Sequence, residues 1–482
     1  MKIKHSVTMF SVAGVALLFA SATLAQQKQS EAKPPLSFSP TELAERTIHR
    51  RAVEAVVWGM PLVNTDAMRQ AYLRDVGAKY NDICYFSKPA EWRFQVTTPN
   101  ASTHYVYSDF NLKDGPVVLE VPAPVRAGLL GAVIDAWDVT TVGVGPEDEN
   151  KGQAAKYLLL PPGFKGNVPA GFIPARFSTY NGYWLLRAIP AGSTEADVEA
   201  ALALVKKLRV YPLAQATNPP EQRFIDIHGK TFDGVPNFDE SFFVSLNRMV
   251  QEEPVQERDL VAMGMLQSIG IEKGKDFKPD DATKRILKAA AQEQLAVFVE
   301  GMKTFGERWW EDRAWALPDK RGVKTNFSYV TDVALDVDAR GLSNFAAFGF
   351  PKRVGQGGSI VYLVGFRDSR GEPISGEHTY KLHVPPDVPA KQYWSVIAYD
   401  SLTNAFIRES PVVGLDSYST TMKKNADSSV DIYFGPKAPA GQEANWIYTA
   451  PGRAWFAGFR LYDPDKPFFE KAWKMSNLEQ VK

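Results

Sequence analysis

From Trp92 the chain falls into short β-branched and aromatic runs, each cut by Pro, Gly or Asn: Arg93 to Thr97, Tyr105 to Phe110, Val117 to Val121, Leu129 to Trp137, Tyr157 to Leu160 and Tyr183 to Ala188. Runs of that length and punctuation predict an antiparallel β-sandwich. Strands are expected again from Tyr329, through Ile360 to Phe366, Tyr380 to Val384, Tyr393 to Tyr399, Val430 to Phe434 and Ala454 to Leu461. Between the two regions the apolar period lengthens to that of a helix. Thr194-Glu195 opens an amphipathic helix with Val198, Leu202, Val205 and Leu208 on one side, and Phe242, Phe243, Leu246 and Met249 mark another. Pro254 breaks that run, and Pro279 opens a longer helix through Ile286, Leu295 and Phe298. Upstream, Ser39-Pro40-Thr41-Glu42 starts a helix predicted to end near Gly59-Met60-Pro61, with a second helix from Thr65 to Val76.

The two β regions repeat each other. Gly131-Ala132-Val133-Ile134-Asp135-Ala136-Trp137-Asp138 matches Tyr393-Trp394-Ser395-Val396-Ile397-Ala398-Tyr399-Asp400, and each follows a strand ending in Val-Pro, at Val121-Pro122 and Val384-Pro385. Tyr105 to Phe110 resembles Val361 to Phe366, and Tyr157 to Pro162 resembles Asp431 to Pro436. An aromatic strand holding Arg187 or Arg460 follows in each copy. Five segments in one order imply a duplicated unit. The expected fold is therefore α+β, mainly β: two related antiparallel β-sandwich, jelly-roll-like units separated by a helical segment. The boundaries are 40–190 for the N-terminal helices and first sandwich, 191–328 for the helical segment and 329–482 for the second sandwich.

The N-terminus changes the picture of where the protein works. Lys2 and Lys4 precede the apolar stretch Val7 to Ala20 and the small residues up to Ala25, so residues 1–25 read as a cleavable signal peptide. Residues 26–39 read as a flexible tether, giving a periplasmic or secreted protein with no stable membrane span after signal removal. Lys+Arg and Asp+Glu both number 55, which argues against a dedicated nucleic-acid binder. The single cysteine, Cys84, forms no intramolecular disulfide and sits in an apolar setting that disfavours a reactive thiolate.

At Trp58-Gly59-Met60-Pro61-Leu62, Val96-Thr97-Thr98-Pro99-Asn100 through Tyr105, Asn445-Trp446 and Phe459-Arg460-Leu461-Tyr462, the sequence resembles the exported bacterial DUF1254/DUF1214 domain-pair family. The resemblance covers nearly the whole mature chain. It implies two β-rich domains around a helical segment and no established activity. Where that family commonly has an acid after Thr-Pro-Asn-Asn, this chain reads Asn100-Ala101-Ser102-Thr103-His104.

Candidate chemistry gathers in Asn100 to Asp109. Tyr105, Tyr107 and Asp109 share one face of a strand, beside Asn100 and His104. Phenols next to an acid can move protons or hold a hydroxylated ligand. Asp138 and Asp400 end the repeated segments; such residues commonly bond the N–H groups of a following turn, and as a facing pair they could act as acid and base. Trp394 and Tyr399 are candidate ligand contacts. Trp309, Trp310 and Trp315 are either a stacking platform or domain packing. The histidine and acid spacings support no metal site, and no cofactor is implied. Two function classes follow: a binding protein holding a small organic or saccharide ligand in an aromatic-lined crevice between the sandwiches, or an envelope hydrolase or lyase using Tyr105, Asp109, Asp138 or Asp400. A structural or assembly role is the third.

Overall fold

The computed structural model describes residues 38–192, 194–304, 306–317, 322, 324–349 and 360–481; the expected signal peptide and residues 26–37 of the expected tether lie outside them. One helix, Pro40–Arg74, runs through the point where a break was expected. It begins with a reciprocal cap, in which Glu42 N–H donates to Ser39 Oγ at 3.2 Å and Ser39 N–H donates to the Glu42 carboxylate at 2.8 Å. Pro61 removes the N–H that would bond the Val57 carbonyl. The helix Val337–Ala346 packs against that stretch. Its Arg340 donates to the Trp58 carbonyl at 3.2 Å, and Gly341 lets the backbones approach so closely that a Cβ there would stand 2.7 Å from Val57 O. From Ala55 to Thr65 every residue is buried, so packing on all sides holds the helix together where its local sequence would interrupt it.

In the first sandwich a six-stranded sheet has the order Phe224–Asp226, Ile83–Tyr85, His104–Asn111, Asn181–Pro190, Ala127–Asp135, Thr140–Val144. It faces a four-stranded sheet ordered Arg209–Pro212, Val117–Val121, Ala155–Leu160, Phe172–Arg176. The second sandwich repeats the plan. Its larger sheet runs Glu307–Arg308, Ala316–Leu317, Ile360–Gly365, Trp455–Pro464, Ala390–Asp400, Gly414–Asp416, and its smaller one Trp446–Tyr448, Val430–Gly435, Thr379–Val384, Glu479–Val481. One parallel pairing recurs, since Ala155–Leu160 with Phe172–Arg176 and Val430–Gly435 with Trp446–Tyr448 are both parallel, whereas the parallel pair Ile83–Tyr85 with Phe224–Asp226 belongs to the first sandwich. The fold is α+β, mainly β, with two related sandwiches and helices Glu240–Glu252, Leu260–Gln267 and Asp281–Met302 between them.

Strand register corrects the superposition of the two copies. Arg187 pairs with Leu130 and Arg460 with Ser395; five residues further along each strand, Asp135 and Asp400 are equivalent. Asp135, not Asp138, is therefore the structural partner of Asp400. Its Oδ1 accepts from Trp137 and Val139 N–H at 2.9 and 3.0 Å, as Asp400 Oδ1 accepts from Leu402 N–H at 2.8 Å. The recurring motif is a turn device. A one-residue slip occurs upstream as well: Tyr105 opposite Arg187 corresponds to Tyr362, not Val361, opposite Arg460.

Residues 329–349 are not strand. Asp336 caps the helix Val337–Ala346 by accepting from Ala339 N–H at 3.0 Å, and that helix buries Phe345 against Phe298. In the earlier amphipathic helix, now Glu195–Val205, the buried face is Ala201, Leu204 and Val205, with Val198 and Leu202 at its margin. Trp310 and Trp315 are buried in the core of the second sandwich, and Trp309 stacks on Phe468 with ring centres 4.7 Å apart, which is packing and not an exposed platform.

Candidate functional site

Alternation along the strands decides what the two larger sheets present. Val106, Phe110, Trp184 and Leu186 point into the first sandwich, and Leu363, Val396, Phe459 and Leu461 into the second. Their neighbours in sequence point the other way. Tyr107, Ile134 and Tyr183 of the first sheet and Ile397, Tyr399 and Phe456 of the second thus join one further core, together with Met68 and Tyr72 of the long helix. A cavity of about 50 Å³ lies in this layer, lined by Met68, Phe86, Phe94, Val96, Thr97, Thr98, Pro99, Asn100, Tyr105, Tyr107, Leu185, Ile227, Phe232 and Phe348. A water needs roughly 10–15 Å³ of such space, so the cavity takes about four waters or a ligand group of similar bulk. Its wall is mainly aromatic and aliphatic, with Thr97, Thr98 and Asn100 as the non-aromatic polar residues, and the Tyr107 hydroxyl is buried and interacts with the Asp109 carboxyl.

On one side of the cavity stands a cluster of arginines and phenols. Arg187 Nε donates to Tyr105 OH at 3.0 Å, and its guanidinium lies over the Tyr105 ring. Arg460 is 2% exposed and donates from Nη2 to the carbonyls of Thr98 and Pro99 at 3.0 and 2.9 Å, and to Tyr399 OH. Thr98 has a φ of 44°, a left-handed conformation that costs a β-branched residue energy and that the Arg460 contacts help to hold. Both guanidiniums act on the same phenols, Tyr105, Tyr362 and Tyr462. Burial opposes ionisation of Tyr462, but Arg460, the Ser102 hydroxyl and Arg187 outweigh it and bring the phenol down to about 8. Burial raises the Tyr393 and Tyr399 phenols instead.

Two acids of the first sandwich are also buried. Asp109 shares a strand face with Tyr107, and burial pushes its carboxyl up to about 7 against the pull of Tyr107 and Arg69. Asp138, in a left-handed conformation at φ 62°, accepts from Tyr183 OH and from Gly349 N–H at 3.3 Å. Burial nevertheless pushes it up to about 8. In each acid Oδ2 is buried without a partner, as suits a carboxyl that keeps its proton. Tyr183 stacks on Phe348, one wall of the cavity, at 4.5 Å.

The structure brings Asn100, Tyr105 and Tyr107 to the cavity wall. Asn100 also donates to Tyr462 OH at 2.7 Å and to Thr103 Oγ1 at 3.2 Å, linking cavity and cluster. Tyr399 is in the arginine cluster, donating to Pro99 O at 2.7 Å. His104 does not line the cavity; its Nδ1 is 3.0 Å from the Phe86 carbonyl. Trp394 is in the core of the second sandwich, stacked on Phe459 at 5.4 Å, because five residues from Tyr399 is an odd step on a strand. Asp400 is held by its own turn and by Arg453, whose Nη1 is 2.8 Å from Oδ2. No hydrogen bond or ion pair joins it to Asp138. Arg187 and Tyr362 were visible in sequence only as part of the repeat, Arg460 in both the repeat and the family resemblance, and Tyr462 in the resemblance alone. An arginine at one place in both copies of an otherwise apolar strand is the signal that marks them. Burial raises the thiol pKa of Cys84 well above its ordinary range. Among the described residues no helix is long and apolar enough to cross a membrane.

The fold and site define a class of paired-sandwich proteins with an arginine and tyrosine cluster between the larger sheets. Residues 80–212 match the family model DUF1254 and residues 359–466 match DUF1214, each described as a protein of unknown function. The chain belongs to the proteins that pair these two domains. Of solved structures, the VPA0106 protein from Vibrio parahaemolyticus is similar, with 17% identity, a TM-score of 0.52, and coverage of 90% of this chain and 100% of that one. A putative uncharacterized protein from Burkholderia cenocepacia aligns at 13% identity and a TM-score of 0.41, covering 91% of this chain and 96% of that one. The first likeness concerns the fold alone. No curated protein matches the sequence.

Proposed function

We propose that this is an exported binding protein whose ligand is a small organic molecule, held in the cavity on the inward face of the first sandwich beside its junction with the second. The observation that carries this reading is a mainly apolar cavity whose lining includes Asn100, Tyr105 and Tyr107 and which adjoins the arginine cluster through Asn100 and Tyr105. The wall favours an apolar ligand over a saccharide, whose many hydroxyls need many partners. Asn100 and Tyr105 add polar groups to the wall, and Tyr399 bonds the carbonyl of Pro99, which also lines the cavity. The apolar N-terminal stretch supports export.

A second reading, a hydrolase or lyase, draws on Asp109 and Asp138, whose raised carboxyls would be proton donors near neutral pH. The two readings part in one experiment. The full chain is screened by thermal shift against aromatic acids, aromatic alcohols and sugars, and each stabilising compound is recovered and analysed. Binding predicts unchanged compound and a smaller shift with Tyr105→Phe; conversion to product would instead establish the enzyme. A flat screen, with no compound of ring size shifting the transition, would refute the cavity as a ligand site.

A further inference from the structure

Arg187 and Arg460 are two permanent cations in the interior layer, and among the described residues neither forms an ion pair with a carboxylate. Their acceptors are neutral: the Tyr105 and Tyr399 hydroxyls and the carbonyls of Thr98 and Pro99. Arg460 Nε is buried with no acceptor. Burial of a cation is costly unless it is paired. The same pair recurs across the duplication, with Arg187 opposite Tyr105 and Arg460 opposite Tyr362, so both copies deliver a guanidinium and a phenol to one place. The cluster is joined to the cavity at two residues. Tyr105 lines the cavity and accepts from Arg187, and Asn100 lines it and donates to Tyr462.

We propose that Arg187 and Arg460, with the phenols of Tyr105, Tyr362 and Tyr462, receive the carboxylate of a ligand whose apolar body fills the neighbouring cavity. The ligand class is then a small aromatic or short-chain carboxylic acid. This rests on the reading of the cavity as a ligand site and adds the charge of what it takes. Guanidinium groups suit the task because their planar donors match the two oxygens of a carboxylate. The phenols can donate to the same oxygens.

The test measures binding of benzoate, benzyl alcohol and sulfate to the full chain by calorimetry at pH 7, for the natural protein, Arg187→Gln and Leu185→Trp. Arg187 is only half-buried, so the glutamine variant is expected to fold, which circular dichroism checks. The expected result is that benzoate binds at least tenfold more tightly than benzyl alcohol or sulfate. Arg187→Gln removes that tenfold and leaves the alcohol unchanged, while Leu185→Trp, which fills the cavity, weakens benzoate and alcohol together. Equal binding of acid and alcohol, unaffected by Arg187→Gln, would overturn the carboxylate site and leave the cavity reading standing. Sulfate binding as tightly as benzoate and insensitive to Leu185→Trp would show a bare anion site, which also overturns the proposal. If neither benzoate nor benzyl alcohol binds, the cavity reading falls and takes this inference with it.

Discussion

Replacing Asp138 by Asn tests whether the buried acid keeps its proton in the folded protein. In the unfolded chain an aspartate titrates near 4, whereas burial raises Asp138 to about 8. Below about pH 4 both states are protonated and the group costs nothing. As pH rises toward 8 the unfolded chain releases the proton while the folded protein holds it, so stability present in acid is lost progressively over that window. Over that window every step of one in pH costs about 1.4 kcal/mol, so the loss reaches roughly 5 kcal/mol once the pH passes the folded value. Asparagine removes the titration but keeps the contacts: its Oδ1 can accept from Tyr183 and Gly349 as Asp138 does, and Asn tolerates the left-handed conformation at φ 62°. The assay is urea unfolding of both proteins at pH 5, 6, 7 and 8. The advantage of Asp138→Asn should grow by about 4 kcal/mol between pH 5 and pH 8. Asp109 is common to both proteins and cancels in the difference. A difference that does not change with pH would refute the reasoning, since it would mean that Asp138 ionises as readily folded as unfolded.

Three further outcomes are expected. Gly341→Ala should destabilise by about 1–3 kcal/mol in thermal unfolding, the reverse of the usual gain from alanine in a helix, because the new Cβ would meet Val57 O at 2.7 Å; a stabilised variant would show that the two helices can separate. Arg69→Ala should cost about 3–5 kcal/mol by urea unfolding, since Arg69 is 3% exposed on its side chain, pairs with Asp66 at 2.7 Å and bonds Asn181 at 2.8 Å and Glu252; a loss below about 1 kcal/mol, the range of surface pairs, would refute that. Trp394→Ala should cost about 3–5 kcal/mol of stability and leave the affinity of any cavity ligand unchanged, whereas a specific loss of affinity would return Trp394 to the site.

Strand existence and facing were readable because a period of two has only two outcomes for each side chain. Tyr105, Tyr107 and Asp109 do share a face, and the same rule separates Trp394 from Tyr399. The duplication was also legible in five segments, although similarity of letters set its register wrongly at three of them, the third being Tyr157, which pairs with Leu119 as Ile432, not Asp431, pairs with Leu382. Pairing across the sheet shows Asp400 to match Asp135, whose turn it shares, while Asp138 has a different task with Tyr183.

By itself, the sequence determined two related sandwiches, the helical segment between them and the side of each strand that is apolar, because these are local or repeated patterns. Tertiary structure alone decided that the helix Pro40–Arg74 continues through Pro61, since the residues packed against that stretch, among them Arg340 and Gly341, come from far along the chain. It alone decided that Arg187 and Arg460 act on the same phenols and that burial pushes Asp109 and Asp138 toward their neutral forms. The physical reason is common to all three. Desolvation, charge and packing depend on everything that surrounds a group, and for the inward faces of these sheets most of those surroundings are supplied by distant parts of the chain.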